Sequence, residues 1–179
     1  MDDGKRLAYF VAIKEGASYL GGLLITNSIG IPLDFRYTEP ITPTKLQSLL
    51  YGRALEPHIK GEVIQKALMK EVKSPPDLMF VQASDLADDF AGAQYPILSI
   101  QRTQDPPLDS HGTFLRHSPR ELSVQIGESG HPLRVLFPQG VEEGVQESVI
   151  KTIAEAGYQI DLAEPMERVL GALHALMQQ

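Results

Sequence analysis

The sequence predicts an α/β protein, with α+β as the alternative, built on a mixed β-sheet. Apolar residues recur with a period of two near the N-terminus, with a period near 3.6 between residues 42 and 73, and with a period of two again afterwards. Glycine and proline clusters separate these stretches. We therefore expect an antiparallel meander of three strands, a long helical segment, two further strands, a C-terminal hairpin and two amphipathic helices.

The three N-terminal strands are indicated by composition and alternation. Leu7–Ile13 is rich in aromatic and β-branched residues and ends at a turn. The apolar run from Tyr19 to Thr26 contains the pair Gly21-Gly22, which indicates a bulge or a close approach of another backbone. After a glycine-containing turn, residues 32–37 alternate between apolar and polar side chains. This alternation predicts a third strand with one buried face.

The helical segment is predicted to begin at Thr42 as its N-cap. Pro57 predicts a break or kink near Glu56, and a second helix then continues to Pro75-Pro76. The expected apolar stripe of the first helix consists of Leu46, Leu49 and Leu50.

The remaining elements follow in order. Strands are predicted at Leu78–Val81 and Ile97–Ile100, with a brief helix capped by Ser84 between them. The acids of that helix are interpreted as partners of its dipole rather than as a cation site. They are Asp85, Asp88 and Asp89. A hairpin over residues 122–137, a helix ending at Gly157, a short strand over residues 158–162 and a last helix from Pro165 complete the chain.

The domain prediction divides the chain near residue 120. Residues 1–120 form the core α/β domain, and its polar segment 101–120 is expected to be a mobile loop. Residues 121–179 supply the hairpin and the C-terminal helices, either as part of the same domain or as a packed subdomain.

The predicted order of strands and helices resembles that of the ribonuclease H-like fold. This resemblance implies carboxylates on the first strand, the long helix and the fourth strand, which together hold two divalent cations. Leu7–Ile13 contains no acid, and the fourth strand is preceded by Asp77 and followed by Gln82. Glu62 and Glu71 are the acids available from the helix. A metal-assisted phosphoester hydrolase, either a nuclease or a phosphatase, is therefore kept as an alternative function.

A second resemblance is local. The eleven residues from Leu23 to Leu33 form a hydrophobic strand, a polar turn with glycine and a second strand, and they look like the paired strands of roadblock and longin-type domains. This resemblance implies a regulatory dimer that binds small GTPases, which is the second alternative.

Two groups of residues are candidates for ligand binding. Arg36, Tyr37 and Glu39 lie at a strand end, where the arginine is placed to bind an anion. The competing interpretation places the aromatic ring in the core and pairs Arg36 with a neighbouring carboxylate. The second group lies in the polar segment and offers a cation and two imidazoles for phosphate binding or proton transfer. It consists of Arg102, His111 and His117.

The sequence predicts no catalytic residue, no metal site and no cofactor. The histidine spacing matches no metal-ligand pattern, and the chain has no cysteine. The net charge of −7 disfavours a polyanionic partner, so nucleic acid is not expected to bind. We therefore expect a non-catalytic binding or regulatory protein rather than an enzyme, with an unidentified protein partner.

The sequence also predicts a location and an assembly. No apolar run reaches the roughly 20 residues of a membrane helix, so we expect a cytoplasmic protein that does not enter a membrane. A homodimer is expected through an open sheet edge or through the last helix. The apolar stripe of that helix comprises Met166, Val169, Leu170, Leu173, Leu176 and Met177.

Overall fold

The computed structural model describes residues 4–179, apart from the side chain of Ala91. Its centre is an eight-stranded mixed sheet with the strand order β3-β2-β1-β4-β5-β8-β7-β6. The strands are β1 (Leu7–Glu15), β2 (Ser18–Thr26), β3 (Pro32–Tyr37), β4 (Leu78–Phe80), β5 (Ile97–Arg102), β6 (Phe114–Ser118), β7 (Glu121–Val124) and β8 (Leu133–Leu136). The predicted α/β class, the N-terminal meander and the C-terminal hairpin are confirmed.

The first five strands have the ribonuclease H-like order. β1 pairs antiparallel with β2, and β2 pairs antiparallel with β3. β1 pairs in parallel with β4, and β4 pairs in parallel with β5. Strands buried on both faces read as continuous apolar runs, as Leu7–Ala12 and Leu78–Val81 do. The carboxyl ends of β1, β4 and β5 consequently lie at one edge of the sheet.

The pair Gly21-Gly22 lets helices approach both faces of β2. A Cβ atom at Gly21 would lie 2.2 Å from Cγ2 of Ile64, and one at Gly22 would lie 3.1 Å from atoms of Val169 and Leu173. Successive residues of a strand point to opposite faces. The close approach at these glycines is therefore made by helix side chains on both sides of the sheet, rather than by another backbone.

One face of the sheet carries a helical segment from Lys45 to Glu71, which is interrupted at Gly52, where φ is 54° and ψ is −127°. It contains α1 (Lys45–Tyr51), a 3₁₀ turn (Gly52–Ala54), α2 (Leu55–Pro57), a π-helix (His58–Gln65) and α3 (Lys66–Glu71). A break or kink was expected near Glu56. The interruption lies at Gly52 instead, and at Pro57 the chain stays helical while the hydrogen-bond register widens into the π-helix. The predicted N-cap was also wrong. Thr44 caps the helix in a capping box with Gln47, whereas the Thr42 hydroxyl lies 2.6 Å from that of Ser18.

The stripe expected on α1 is exposed rather than buried. Leu46, Leu49 and Leu50 are 64%, 72% and 75% exposed, and α1 has no buried residue. The helical segment packs on the sheet through its later part, where Ile59, Ile64 and Leu68 are buried.

The other face of the sheet carries α4 (Glu143–Gly157) and α5 (Glu164–Met177). Val169 and Leu173 of α5 are buried against the sheet, and the rest of the predicted stripe packs beside them. This stripe therefore belongs to the core and is not free to contact a second copy. The homodimer itself stays a prediction.

The short strand predicted over residues 158–162 is instead a turn leading into α5. The segment 101–120 contains the end of β5, an extended stretch and the edge strand β6, and its mobility stays a prediction. The hairpin β2–β3 is preceded by strand β1, so a roadblock-type order, with a helix before the hairpin, is not found.

No helix in the described part of the chain is long and apolar enough to cross a membrane.

Candidate functional site

A cleft opens at the carboxyl end of β4. After β4 the chain forms two 3₁₀ turns, Ala83–Asp85 and Asp88–Gly92, which lie beside the π-helix. The space between the π-helix and these two turns has a volume of about 230 Å³. We call it the Asp85 cleft, and the polar side chains that line it are Lys60, Glu62, Gln65, Lys66, Ser84, Asp85 and Asp89. π-Helical turns are rare and are frequent at functional sites.

Asp85 is a buried acid with an incomplete set of partners. Its side chain is 5% exposed, and Oδ2 has no hydrogen-bond partner within residues 4–179. Nζ of Lys60 lies 4.0 Å from Asp85 Oδ1 and 3.1 Å from Glu56 Oε1. Burial raises the pKa of the Asp85 carboxyl, which Lys60 opposes and Glu56 reinforces. The pKa of this carboxyl therefore lies closer to neutral pH than the pKa of an exposed aspartate.

Gln65 is a second buried polar group that lines the same cleft. The residue is 1% exposed, and its Nε2 donates to no acceptor in the described structure. Most buried polar groups in proteins have partners, so each exception needs an explanation. Here an unpaired donor and the unpaired acceptor of Asp85 line one cleft. Both atoms are covered by protein, so each is a cost of burying its side chain in this fold.

Glu62 and Lys66 form an ion pair at the mouth of the cleft. Nζ of Lys66 donates to both carboxylate oxygens of Glu62 at 2.7 Å. This hydrogen bond lowers the pKa of Glu62 and raises the pKa of Lys66. Both side chains are about half exposed, so the pair adds little stability but places a cation at the entrance.

The donor set does not fit the two-cation site that the ribonuclease H-like fold implies. The middle of β1 is apolar, and Glu15 at its end lies 3.4 Å from His174 of α5, on the opposite face of the sheet from the cleft. Gln82, rather than an acid, follows β4. Within residues 4–179 no group of three or more histidines and acids is placed to hold a metal ion.

The first predicted group lies at an edge of the sheet. Arg36 on β3 donates through Nε to Asp34 at 3.1 Å, and its NH1 lies 3.8 Å from Glu71. Tyr37 is 52% exposed and packs beside Phe35, with 5.8 Å between ring centres. Glu39 is exposed just beyond the strand. The arginine is thus paired with carboxylates, as the competing interpretation expects, whereas Tyr37 is not in the core.

The second predicted group is spread over the other half of the sheet. Arg102 on β5 donates to Asp161 at 2.6 Å and to Glu167. Nδ1 of His111 accepts a hydrogen bond from the backbone N–H of Gly127 at 2.8 Å. His117 on β6 lies 2.7 Å from the Ser123 hydroxyl. β3 and β6 are the two outer strands of the sheet, so the structure does not bring the two groups together. Their role in binding stays a prediction.

Of the cleft residues, only Glu62 was considered from the sequence for the hydrolase alternative. Asp85 was interpreted as an ordinary acid in the first turn of a helix, whereas the structure places it in a 3₁₀ turn with its carboxyl buried. The signal that was available is the set of lysines after Pro57. They are Lys60, Lys66, Lys70 and Lys73.

No protein-family model and no curated protein matches this chain. It is similar to the solved structure of endonuclease V from Streptomyces avermitilis, with 11% identity, a TM-score of 0.57, and coverage of 99% of this chain and 86% of the other. Human ENDOV gives 10% identity, a TM-score of 0.57, and coverage of 98% and 85%. Endonuclease V from Ciona intestinalis, in complex with a 23mer DNA containing inosine, gives 10% identity, a TM-score of 0.50, and coverage of 97% and 87%.

These comparisons establish the likeness of fold and correct three expectations. The similar structures are nucleases, and one of them is bound to DNA. The expectation of a non-catalytic protein, the preference against an enzyme and the exclusion of nucleic acid as a partner were therefore wrong. Of the functions considered from the sequence, the nuclease alternative is the one that the comparisons favour.

Proposed function

We propose that this protein is a phosphoester hydrolase of the nuclease type and that it acts on nucleic acid in the Asp85 cleft. One observation carries the assignment. A buried carboxyl with a free oxygen lies beside a lysine in a cleft at the carboxyl end of β4. Ligands of open α/β sheets bind outside the carboxyl ends of the strands. The nuclease fold of the similar structures supports the choice of substrate.

The proposed chemistry uses Asp85 and Lys60 as a base and an acid. A water oxygen attacks phosphorus, and the bond from phosphorus to the leaving oxygen breaks. The Asp85 carboxylate, whose Oδ1 faces Lys60, accepts the proton of the water, and Lys60 donates a proton to the leaving oxygen. Asp85 then releases its proton to solvent water and Lys60 takes one up, which restores both groups.

The other residues of the cleft bind and orient the substrate. Lys66 offers a positive charge to the phosphate at the mouth of the cleft. No step is assigned to a metal ion, because the acids are not arranged as the two-cation mechanism requires. The raised pKa of Asp85 makes it a better base than an exposed carboxylate.

The proposal is tested with end-labelled single-stranded RNA and DNA, incubated with the protein in EDTA and in Mg²⁺. We expect cleavage in both conditions and a rate lowered about 100-fold in Lys60→Met, the magnitude of one acid–base group. Lys45→Met changes an exposed lysine on α1, remote from the cleft lining, and is the matched control. Absence of cleavage by the native protein, or equal rates for the two variants, would contradict the assignment.

A further inference from the structure

A second depression adjoins the Asp85 cleft and shares Lys66 with it. It lies between α3, the chain that follows α3, and residues 93–95, and has a volume of about 480 Å³. We call it the lysine groove. The lining residues that bear on its function are Lys66, Met69, Lys70, Lys73 and Tyr95. The volume is within the range of roughly 300–1,000 Å³ typical of ligand sites.

The groove is locally cationic in an acidic protein. Lys66 and Lys70 lie one helical turn apart on α3, and Lys73 follows just after its end. Lys70 and Lys73 have no carboxylate within 4.0 Å among the described residues, whereas Lys66 is paired with Glu62. The chain as a whole carries a net charge of −7. Because the protein as a whole is negatively charged, the two unpaired ammonium groups indicate a local binding site for an anion. They do not indicate a general affinity for polyanions.

The floor of the groove is apolar and contains an aromatic ring. Met69, Val72 and Tyr95 are partly buried against the core on this face of the sheet. Burial raises the pKa of the Tyr95 phenol, so the ring is uncharged at neutral pH. A cationic rim above an aromatic floor is the combination that binds single-stranded nucleic acid, with phosphates on the lysines and a base on the ring.

We propose that the lysine groove binds a single-stranded segment of the nucleic acid whose phosphoester lies in the Asp85 cleft, which rests on the proposed function. Lys66 is the link, because it lines both depressions. Phosphates bind along Lys66, Lys70 and Lys73, and an unstacked base packs against Tyr95. We do not expect a duplex to bind here, because the bases of a duplex are stacked in its interior and cannot pack against the Tyr95 ring.

The test measures binding by fluorescence anisotropy, with a labelled 12-nucleotide single strand, the same sequence as a duplex, and an oligoglutamate peptide. The protein carries Asp85→Asn throughout, so that cleavage does not remove the probe. Lys70→Glu combined with Lys73→Glu is expected to weaken single-strand binding at least tenfold. It should also reduce the slope of log affinity against log salt by about 1.4, since each phosphate contact on a single strand contributes about 0.7.

The matched control is Lys45→Glu combined with Lys151→Glu, which changes the net charge equally at exposed lysines outside the groove. We expect it to bind within twofold of the parent. Tyr95→Leu, which keeps an apolar side chain in the half-buried position, is expected to weaken single-strand binding about tenfold and to leave the salt slope unchanged. Equal weakening in the charge control, tighter binding of the duplex, or equal binding of oligoglutamate would overturn the proposal.

Different results would reject the hydrolase proposal and the groove proposal. Binding that depends on Lys70 and Lys73, with no cleavage by the native protein, would retain the groove and reject the hydrolase. Cleavage by the native protein, with no effect of the groove variants on binding, would retain the hydrolase and reject the groove.

Discussion

Asp85 combines an unfavourable burial with a favourable position for chemistry. Its carboxyl is nearly inaccessible, one of its oxygens has no partner within residues 4–179, and the nearest cation is shared with Glu56. Groups of this kind destabilise the folded state and are retained where they serve function. The residue is therefore expected to affect stability and activity in opposite directions.

Replacing Asp85 by asparagine is expected to stabilise the protein at neutral pH. Because the pKa of Asp85 is raised in the folded state, the carboxylate is less favourable there than in the unfolded chain. The free energy of unfolding therefore falls as pH rises from the ordinary pKa of aspartate through the raised one. Asp85→Asn removes this loss and should gain roughly 1–2 kcal/mol at pH 7, as measured by urea unfolding.

The gain in Asp85→Asn should shrink as the pH is lowered toward the ordinary pKa of aspartate. The control is Asp88→Asn, which changes an exposed carboxylate outside the cleft lining and should shift stability by less than about 0.5 kcal/mol. A variant at position 85 that is less stable than the native protein at pH 7 would show that the buried carboxylate is well compensated.

The identity of the cleft residues could not be predicted from the sequence. An acid at the start of a short helical turn has the same local pattern whether its carboxyl is exposed or buried. The cleft that Asp85 lines is shared with the π-helix, which starts 27 residues earlier in the chain, at His58. The same holds for Gln65, whose amide is isolated by packing and not by its neighbours in sequence.

At the scale of elements, the alternating strands were predicted because their pattern is local. The apolar run of β1, the alternation of β3 and the hairpin β7–β8 can each be recognised within a few residues. The helical segment was predicted less well. A proline normally ends a helix, but here the chain after Pro57 keeps helical geometry with wider hydrogen bonding, and a capping box at Thr44 replaces the expected cap at Thr42.

The contact between β2 and the π-helix is expected to tolerate no side chain at Gly21. A Cβ there would lie 2.2 Å from Cγ2 of Ile64, a side chain that is fully buried and cannot move away without disturbing the core. Gly21→Ala should lower the free energy of unfolding by about 1–3 kcal/mol, the range for overpacked cores. Urea unfolding measures this change.

Gly171→Ala provides the comparison for Gly21→Ala. No atom lies within 4 Å of the Cβ position at Gly171, which is inside α5. This variant should gain up to about 1 kcal/mol, since alanine is the better helix former. Equal stability of Gly21→Ala and the native protein would show that the helix does not approach β2 as closely as described.

At the scale of the whole molecule, the element order was enough to predict the ribonuclease H-like arrangement. It was not enough to predict which loops meet. The Asp85 cleft joins residues 57–66 to residues 84–90, and the lysine groove joins residues 66–75 to residues 93–95. The net charge of −7 also describes the whole molecule and not its parts. Acids are concentrated near the C-terminus, whereas Lys66, Lys70 and Lys73 lie together in the lysine groove.

If a nucleic-acid phosphoester is hydrolysed in the Asp85 cleft, cleavage depends on the Asp85 carboxyl. We would measure the single-turnover cleavage rate of a labelled single strand by the native protein, by Asp85→Asn and by Asp88→Asn. We expect the rate of Asp85→Asn to be at least 100-fold below that of the native protein, with the folded state intact, and the rate of Asp88→Asn to be unchanged. Equal loss in both variants, or full activity in Asp85→Asn, would contradict the claim.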